Sequence, residues 1–443
     1  MIDDFDSQPD ILEQRVNWTS AEMQARLKRR YWTDRLFRAV GLSAVVAAGL
    51  FLFFLLANII QNGTSGFLQA TVEVDVTFDA SLLPDPSLDR AEYARQMARV
   101  DMQRILRQAL LDMFPGVSGR SDTIRLTRML SSGARTQLRD LIIGNPKLAG
   151  QTIKVRLLAA DEVDQAVKGN IDISLAEEFR KLKNKEVAWL NELQQQGRVS
   201  LDFNPRFLIS GDSREPELVG VWGAVVGSAL TLLVTLVSAF PIGLAAAIYL
   251  EEFAAKNRLT DIVEISINNL AAVPSIVFGL LGLAFFLGVM GMARSAPLVG
   301  GLTLALLTLP TIIISARAAI AAVPNSIRDA ARGLGASPMQ VAFHHVIPLA
   351  MPGILTGTII GMARALGESA PLLMIGMVAF IVDVPSGIND PATVLPVQIY
   401  LWADSPERAF IEKTSAAIMV LLFFLISMNG IAIWLRQRFE RKW

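Results

Sequence analysis

An arginine and a glutamate at helical spacing, Arg364 and Glu368, interrupt an apolar run that extends from Gly353 toward Val382. A run of this length can cross a bilayer, and charges inside one are costly enough to need a reason. If it is helical, Gly353, Gly357, Gly361, Arg364 and Glu368 fall on one stripe roughly 80° wide, and its glycines admit a close neighbour. Arg364 then lies about 16 Å beyond Gly353, near the middle of a hydrocarbon core about 30 Å thick. Two roles are open for the pair. It is a neutralised tie between helices, or Arg364 presents a planar donor fork to an oxyanion on a translocation path while Glu368 holds it. Arg317, near the end of the preceding apolar run, is likewise a second cation on such a path or a side chain snorkelling to the interface.

Composition sets the class. Hydrophobic residues make up 52% and charged residues 19% of the chain, a balance that suits a membrane protein. The formal net charge is zero, which gives no field toward nucleic acid. With no cysteine, disulfides, thiolate metal sites and thiol catalysis are excluded. The two histidines, His344 and His345, are adjacent and would point apart on a helix, so no metal site is expected.

The elements that must position these residues follow from hydropathy. A polar tail, 1–38, ends in a basic stretch with Arg26, Lys28, Arg29, Arg30, Arg35 and Arg38, a topology signal or an anionic-lipid site. The first span is expected at 39–60, as a retained helix and not a cleaved signal. Residues 61–217 read as an inserted α+β domain, with strands at Thr71–Asp79 and Ile153–Leu157 and helices at Arg90–Phe114, Asp122–Ile143 and Ala176–Gln196. A core, 218–435, follows with five further spans, at 219–249, 265–290, 298–322, 353–382 and 411–435, and a tail closes the chain at 436–443. The expected fold is thus mainly α, a polytopic membrane protein with six transmembrane helices. Six crossings put both ends on one side, and the loop cations Lys256, Arg258, Arg328 and Arg332 with the tail cations Arg436, Arg438, Arg441 and Lys442 mark that side as cytoplasmic. The α+β domain then lies outside, in the periplasm of a two-membrane bacterium.

Between the fourth and fifth spans, the loop 323–352 is cytoplasmic. Asn325 or Ser326 is placed to cap a short helix, Gly333 and Gly335 to break it, and Ser337-Pro338 to start another whose weak apolar face is Val341, Ala342 and Val346. Such a loop connects spans, or offers a grip to a soluble partner.

Asp329-Ala330-Ala331, Gly335-Ala336 and Pro348 resemble the EAA loop of bacterial ABC importer permeases, E-A-A-x3-G-x9-I-x-L-P, with Asp329 for Glu, His345 for Ile and Ile347 for Leu. Ala363-Arg364-Ala365-Leu366-Gly367-Glu368-Ser369-Ala370-Pro371-Leu372-Leu373 is similar to the A-R-x-x-G-E-[ST]-A-P-L-L segment of phosphate permeases of the PstA type and their PstC-like partners. The resemblance covers about Val219 to Leu435 and leaves the α+β domain outside it. It implies an importer-type permease fold in which Asp329, Ala330, Ala331, Gly335, Ala336 and Pro348 couple to an ATPase. It also implies a PstC-like permease, two PstB-like ATPase copies, a PstS-like periplasmic phosphate-binding protein, membrane lipid and phosphate as partners, in the inner membrane.

No Gly-x4-Gly-Lys-Ser/Thr is present, so no cofactor is expected here and ATP is to be bound by the partner subunit. Gly333-Leu334-Gly335 is too short for a dinucleotide loop. Three readings stay open: a phosphate importer permease, a permease for sulfate, molybdate or a phosphonate, and a non-transporting membrane receptor.

Overall fold

The computed structural model describes residues 21–378 and 380–439. Residues 1–20 of the expected tail and the cations Arg441 and Lys442 lie outside the described residues. Residues up to Ile59 form one compact unit and those from Ile60 onward a second. Helix α1 (Ala21–Thr64) joins the basic stretch and the first expected span in one element, so the boundary expected at residue 38 is not a break. Apolar side chains along it, such as Phe51, Phe53 and Phe54, are exposed.

In the second unit, α+β structure comes first. Strand β1 (Leu68–Thr77) is followed by α2 (Arg90–Met97), α3 (Met102–Met113), α4 (Arg120–Thr127), α5 (Gly133–Gly144), β2 (Thr152–Leu158), α6 (Asp161–Val167), α7 (Asn184–Gln195), β3 (Val199–Phe203) and α8 (Pro205–Ile209). The sheet is antiparallel in the order β2-β1-β3. Val72, Val74, Val76 and Phe78 alternate into the core against Leu106, Leu110, Leu126, Leu138 and Ile142. Both long helices expected before β2 are split. Asp101 caps α3, accepting from Gln103 N at 3.0 Å, and Gly119 at φ 96° opens α4. The helix expected at Ala176–Gln196 begins only at Asn184, and β3 was not anticipated.

Ten further helices follow among the described residues: α9 (Trp222–Ile248), α10 (Arg258–Ala271), α11 (Ser275–Gly282), α12 (Pro297–Ala321), α13 (Asn325–Gly333), α14 (Pro338–Gln340), α15 (Ile347–Gly367), α16 (Ala370–Met374), α17 (Leu395–Ala403) and α18 (Ala409–Phe439). Three π-helical turns are built in, at Tyr249–Phe253 after α9, Leu283–Val289 after α11 and Val341–Val346 between α14 and α15.

Among the described residues five helices are long and apolar enough to cross a membrane. In place of the straight span expected at 265–290 there is a pair, Arg258–Ala271 and Ser275–Val289, bent by 100°. Pro274 stands at the bend and pushes the residue before it out of helical geometry. The fifth expected span, 353–382, is displaced. The helix is already continuous from Pro338, contains Pro352, and stops at Gly367. Pro371 explains the stop, because its ring would strike the Gly367 carbonyl and it has no N–H to give it. Helix α18 runs past the tail boundary expected at 436, and its Arg436 reaches Thr356 Oγ1 at 3.1 Å.

The α+β part is tied to the near end of α18 by buried charge. Lys168 Nζ lies 2.7 Å from Asp164 Oδ2 and 2.6 Å from Glu412 Oε1. Lys413, 1% exposed, donates to the Gly66 carbonyl at 2.8 Å. Nearby, burial pushes the Glu217 carboxyl up to about 7. Burial, with the like charges of Glu162 and Glu217, does the same to Asp161. A carboxyl raised in the folded state stabilises it when protonated. Its contribution is present at low pH and is lost as pH rises from the ordinary carboxylate range through about 7. Thermal unfolding followed from about pH 8 to about pH 5.5 will therefore show a rising midpoint, by roughly 2–4 °C for each kcal/mol recovered. Glu217→Gln will flatten that rise, and an unchanged profile would contradict the assignment.

Candidate functional site

The loop 323–352 folds as a hairpin. Helix α13 follows Pro324, whose fixed φ suits the residue before a first turn, and neither Asn325 nor Ser326 caps it as expected. Gly335, at φ 86°, turns the chain in a conformation that a side chain would strain. Ser337 and Gln340 then form a reciprocal capping box that starts α14, with Pro338 in the first turn. Val341, Ala342 and Val346 are buried, together with Ala331, in a core shared with α12 and α15.

This folding brings most of the EAA-like residues together. Ala330, Ala331 and Pro348 line one cavity of about 600 Å³ with Ile327, Leu334, His344, His345 and Leu349. Ala336 packs against the core beneath. Asp329 points outward and, among the described residues, its side chain meets only Arg332, at 3.6 Å, and Leu334 stands 89% exposed at the tip. An exposed leucine beside an apolar groove is a surface that a soluble partner can cover.

The residue that fixes this hairpin is Arg328, which the sequence reading counted only as a loop cation. Its Nη2 lies 2.6 Å from Glu252 Oε1 and 3.0 Å from the Ile320 carbonyl, and its Nη1 2.6 Å from the Val323 carbonyl. The guanidinium thus satisfies carbonyls at the end of α12 and a carboxylate in the π-turn after α9. The ion pair is buried, with side chains 11% and 7% exposed. Adjacent acids at Glu251-Glu252, opposite a cation just after a proline, were the available signal.

Arg317 sits close by on α12. It is bound by Glu264 of α10 at 2.6 Å and by Glu251 at 3.3 Å, so its charge ties three elements together. Nearby α15 runs along α12 through small residues. A side chain at Gly353 would meet Ala319, one at Gly357 would meet Ser315, and one at Gly361 would only graze Thr311 and Ile312, at 3.8 and 3.9 Å. The two helices therefore separate toward the end of α15. In that antiparallel register Arg364 comes level with Thr308, in the middle of α12. Its side chain is 53% exposed where the helices part, and its Nε lies 3.5 Å from Glu368 Oε1. Glu368 itself has left the helix, as the residue after Gly367, so the stripe expected to carry both ends at Arg364.

Removing one partner of a buried pair leaves the other charge stranded, at about 3–5 kcal/mol. Arg328→Ala is expected to lower the unfolding free energy by about that amount, and Arg328→Met with Glu252→Gln to restore a large part of it. Equal stability of the single variant and the parent chain would show that the pair does not hold the hairpin.

A family described as binding-protein-dependent transport system inner membrane component matches residues 239–443, and a domain of unknown function, DUF3333, matches residues 24–177. The chain is similar to the phosphate transport system permease protein PstA 1 of Mycobacterium tuberculosis, 31% identical over 49% of this chain and 70% of that protein. It is 31% identical to PstA of Haemophilus influenzae over 51% of this chain and 78% of that one. The probable ABC transporter permease protein YqgI of Bacillus subtilis is 28% identical over 50% and 80%. Among solved structures, the MetNI methionine ABC transporter in an inward-facing conformation matches with TM-score 0.41 and 21% identity, covering 50% of this chain and 98% of that one. With an identity of 31% extending over 70% of a relative, the chain belongs to the PstA-type permeases within the family of binding-protein-dependent transport system inner membrane components.

Proposed function

We propose that this chain is the transmembrane permease subunit of an ATP-driven importer of inorganic phosphate. The observation that carries the reading is the similarity to relatives named as phosphate-system permeases over 70% or more of their length. The geometry gives the reading its parts. The α13–α14 hairpin offers Leu334 and the Ala330, Ala331 and Pro348 groove to a separate ATPase subunit, PstB-like and present in two copies. The chain itself hydrolyses nothing and holds no cofactor. A PstC-like permease supplies the other half of the path and a PstS-like protein delivers phosphate. The membrane is the bacterial inner membrane, with the hairpin and both termini in the cytoplasm and the α+β region, 61–217, in the periplasm.

On this reading Arg364 serves the path. It is the cation that the family-like segment places midway along the bundle, and it is half open where α12 and α15 part. A guanidinium binds phosphate through two parallel hydrogen bonds, and Glu368 offsets its charge between transport events. Arg317 acts from the cytoplasmic end, where Glu251 and Glu264 share it.

In membrane vesicles loaded with ATP, phosphate uptake by the assembled transporter should be competed by unlabelled phosphate and not by sulfate. Arg364→Gln should reduce that uptake at least tenfold while the ATPase subunit still co-purifies. Sulfate competition would move the cargo to another oxyanion, and normal uptake by the variant would remove Arg364 from the path.

A further inference from the structure

A cavity of about 830 Å³ opens in the α+β region, far in sequence from the hairpin and from Arg364. Helices α3, α4 and α5 make its wall and bring Arg107, Arg120, Arg128 and Arg135 to it. Some arginines elsewhere in this region are ion-paired: Arg198 lies 2.8 Å from Asp75, and Arg156 3.6 Å from Asp202. The cavity arginines are different. The side chains of Arg107, Arg120 and Arg128 have no hydrogen-bond or ion-pair partner among the described residues, and that of Arg135 donates only to the Ser132 carbonyl, at 3.3 Å.

Two carboxylates do line the cavity, and both are committed to other groups. Glu215 accepts from the Ser132 hydroxyl, and Glu217 from that of Ser131. Even Asp122, on α4 itself, is paired with Lys185 at 2.6 Å and not with a cavity arginine. Four guanidinium groups thus line one concavity against two carboxylates, and none of the four is in an ion pair among the described residues. A concave wall of one sign concentrates the opposite ion, and planar guanidinium forks match the oxygens of a phosphate group. The site stands at the foot of the region. Gly133, beside it, packs on Leu218, a few residues before the candidate membrane span that begins at Trp222.

We propose that this cavity is an oxyanion site that takes a phosphate group, supplied by free inorganic phosphate or by the headgroup of an anionic phospholipid. The site is separate from Arg364 and does not depend on the assignment of the transport path. Its occupant would sit where three helices of the α+β region meet the linker into α9.

The test uses the full-length chain carrying Arg364→Gln, so that phosphate at that residue is not counted. In one arm, binding of inorganic phosphate is measured in neutral detergent. In the other, nanodiscs containing phosphatidylglycerol and phosphatidylcholine are compared for enrichment of the anionic lipid around the protein. Arg107→Gln, Arg120→Gln and Arg128→Gln together should weaken binding at least tenfold in one arm. A control triple of exposed arginines elsewhere on the region, Arg90→Gln, Arg95→Gln and Arg99→Gln, should leave both arms unchanged. Loss with phosphate in detergent identifies the free anion, and loss with phosphatidylglycerol identifies the headgroup. Absence of binding by the parent chain in both arms, or equal effects of the two triples, overturns the proposal.

Discussion

One guanidinium, that of Arg328, decides where the α13–α14 hairpin sits. A helix end leaves carbonyls without partners, and α12 ends where the chain must turn back at Pro324. Arg328 answers two of those carbonyls and a buried carboxylate from the π-turn after α9, so three chain segments meet at one side chain. The pair gains its worth from completeness, since a buried charge is tolerated only when every side of it is met. Arg317 repeats the device one step further along α12, with Glu251 and Glu264 as its acceptors. The acids at 251 and 252 thus serve two different arginines and lock the ends of α9, α10, α12 and α13 into one cluster.

At the opposite end of the same bundle the logic recurs with other residues. Lys168 bridges Asp164 and Glu412, Asp164 also accepts from the Ala70 amide at 2.6 Å, and Lys413 caps the Gly66 carbonyl. Aromatic packing encloses that network, with Phe207 edge-on to Phe67 at 5.4 Å and Trp402 6.0 Å from Phe410. The α+β region is therefore joined to the first turn of α18 by groups that cannot separate without exposing unpaired charge. The bundle is clamped at both ends by ion pairs and packed between them through small residues such as Gly357 against Ser315.

Sequence made the apolar runs legible because hydropathy needs no knowledge of neighbours, and the glycine break and the Ser337 start of the hairpin were local signals of the same kind. What it misplaced depended on a single residue overriding a smooth pattern. Pro274 bends the pair expected as one span, and Pro371 ends α15 at Gly367 although the apolar run continues. Pro352, by contrast, lies inside a helix without ending it, so prolines had to be seen in context. The clamp at Arg328 and the arginine-lined cavity were out of reach for another reason. Their members are distant in sequence, Glu252 from Arg328 and Arg107 from Arg135, and only the packing of whole helices gathers them. β3 is short and half exposed, and gave too little alternation to register.

The π-turn at Val341–Val346 gives the stretch from Pro338 to Gly367 an unequal stiffness. An unbroken helical backbone resists compression, and this one joins the hairpin to Arg364 with no loop between them. Twist is another matter, because a wide turn has exchanged its regular hydrogen bonds for longer-reaching ones and carries an extra residue. Moving that extra residue by one position would turn only the residue it passes by about 100° and leave the helix on either side in place. That turn lies between the groove of Ala331 and the side chain of Arg364, so side chains there can change facing without any change in the helix's length.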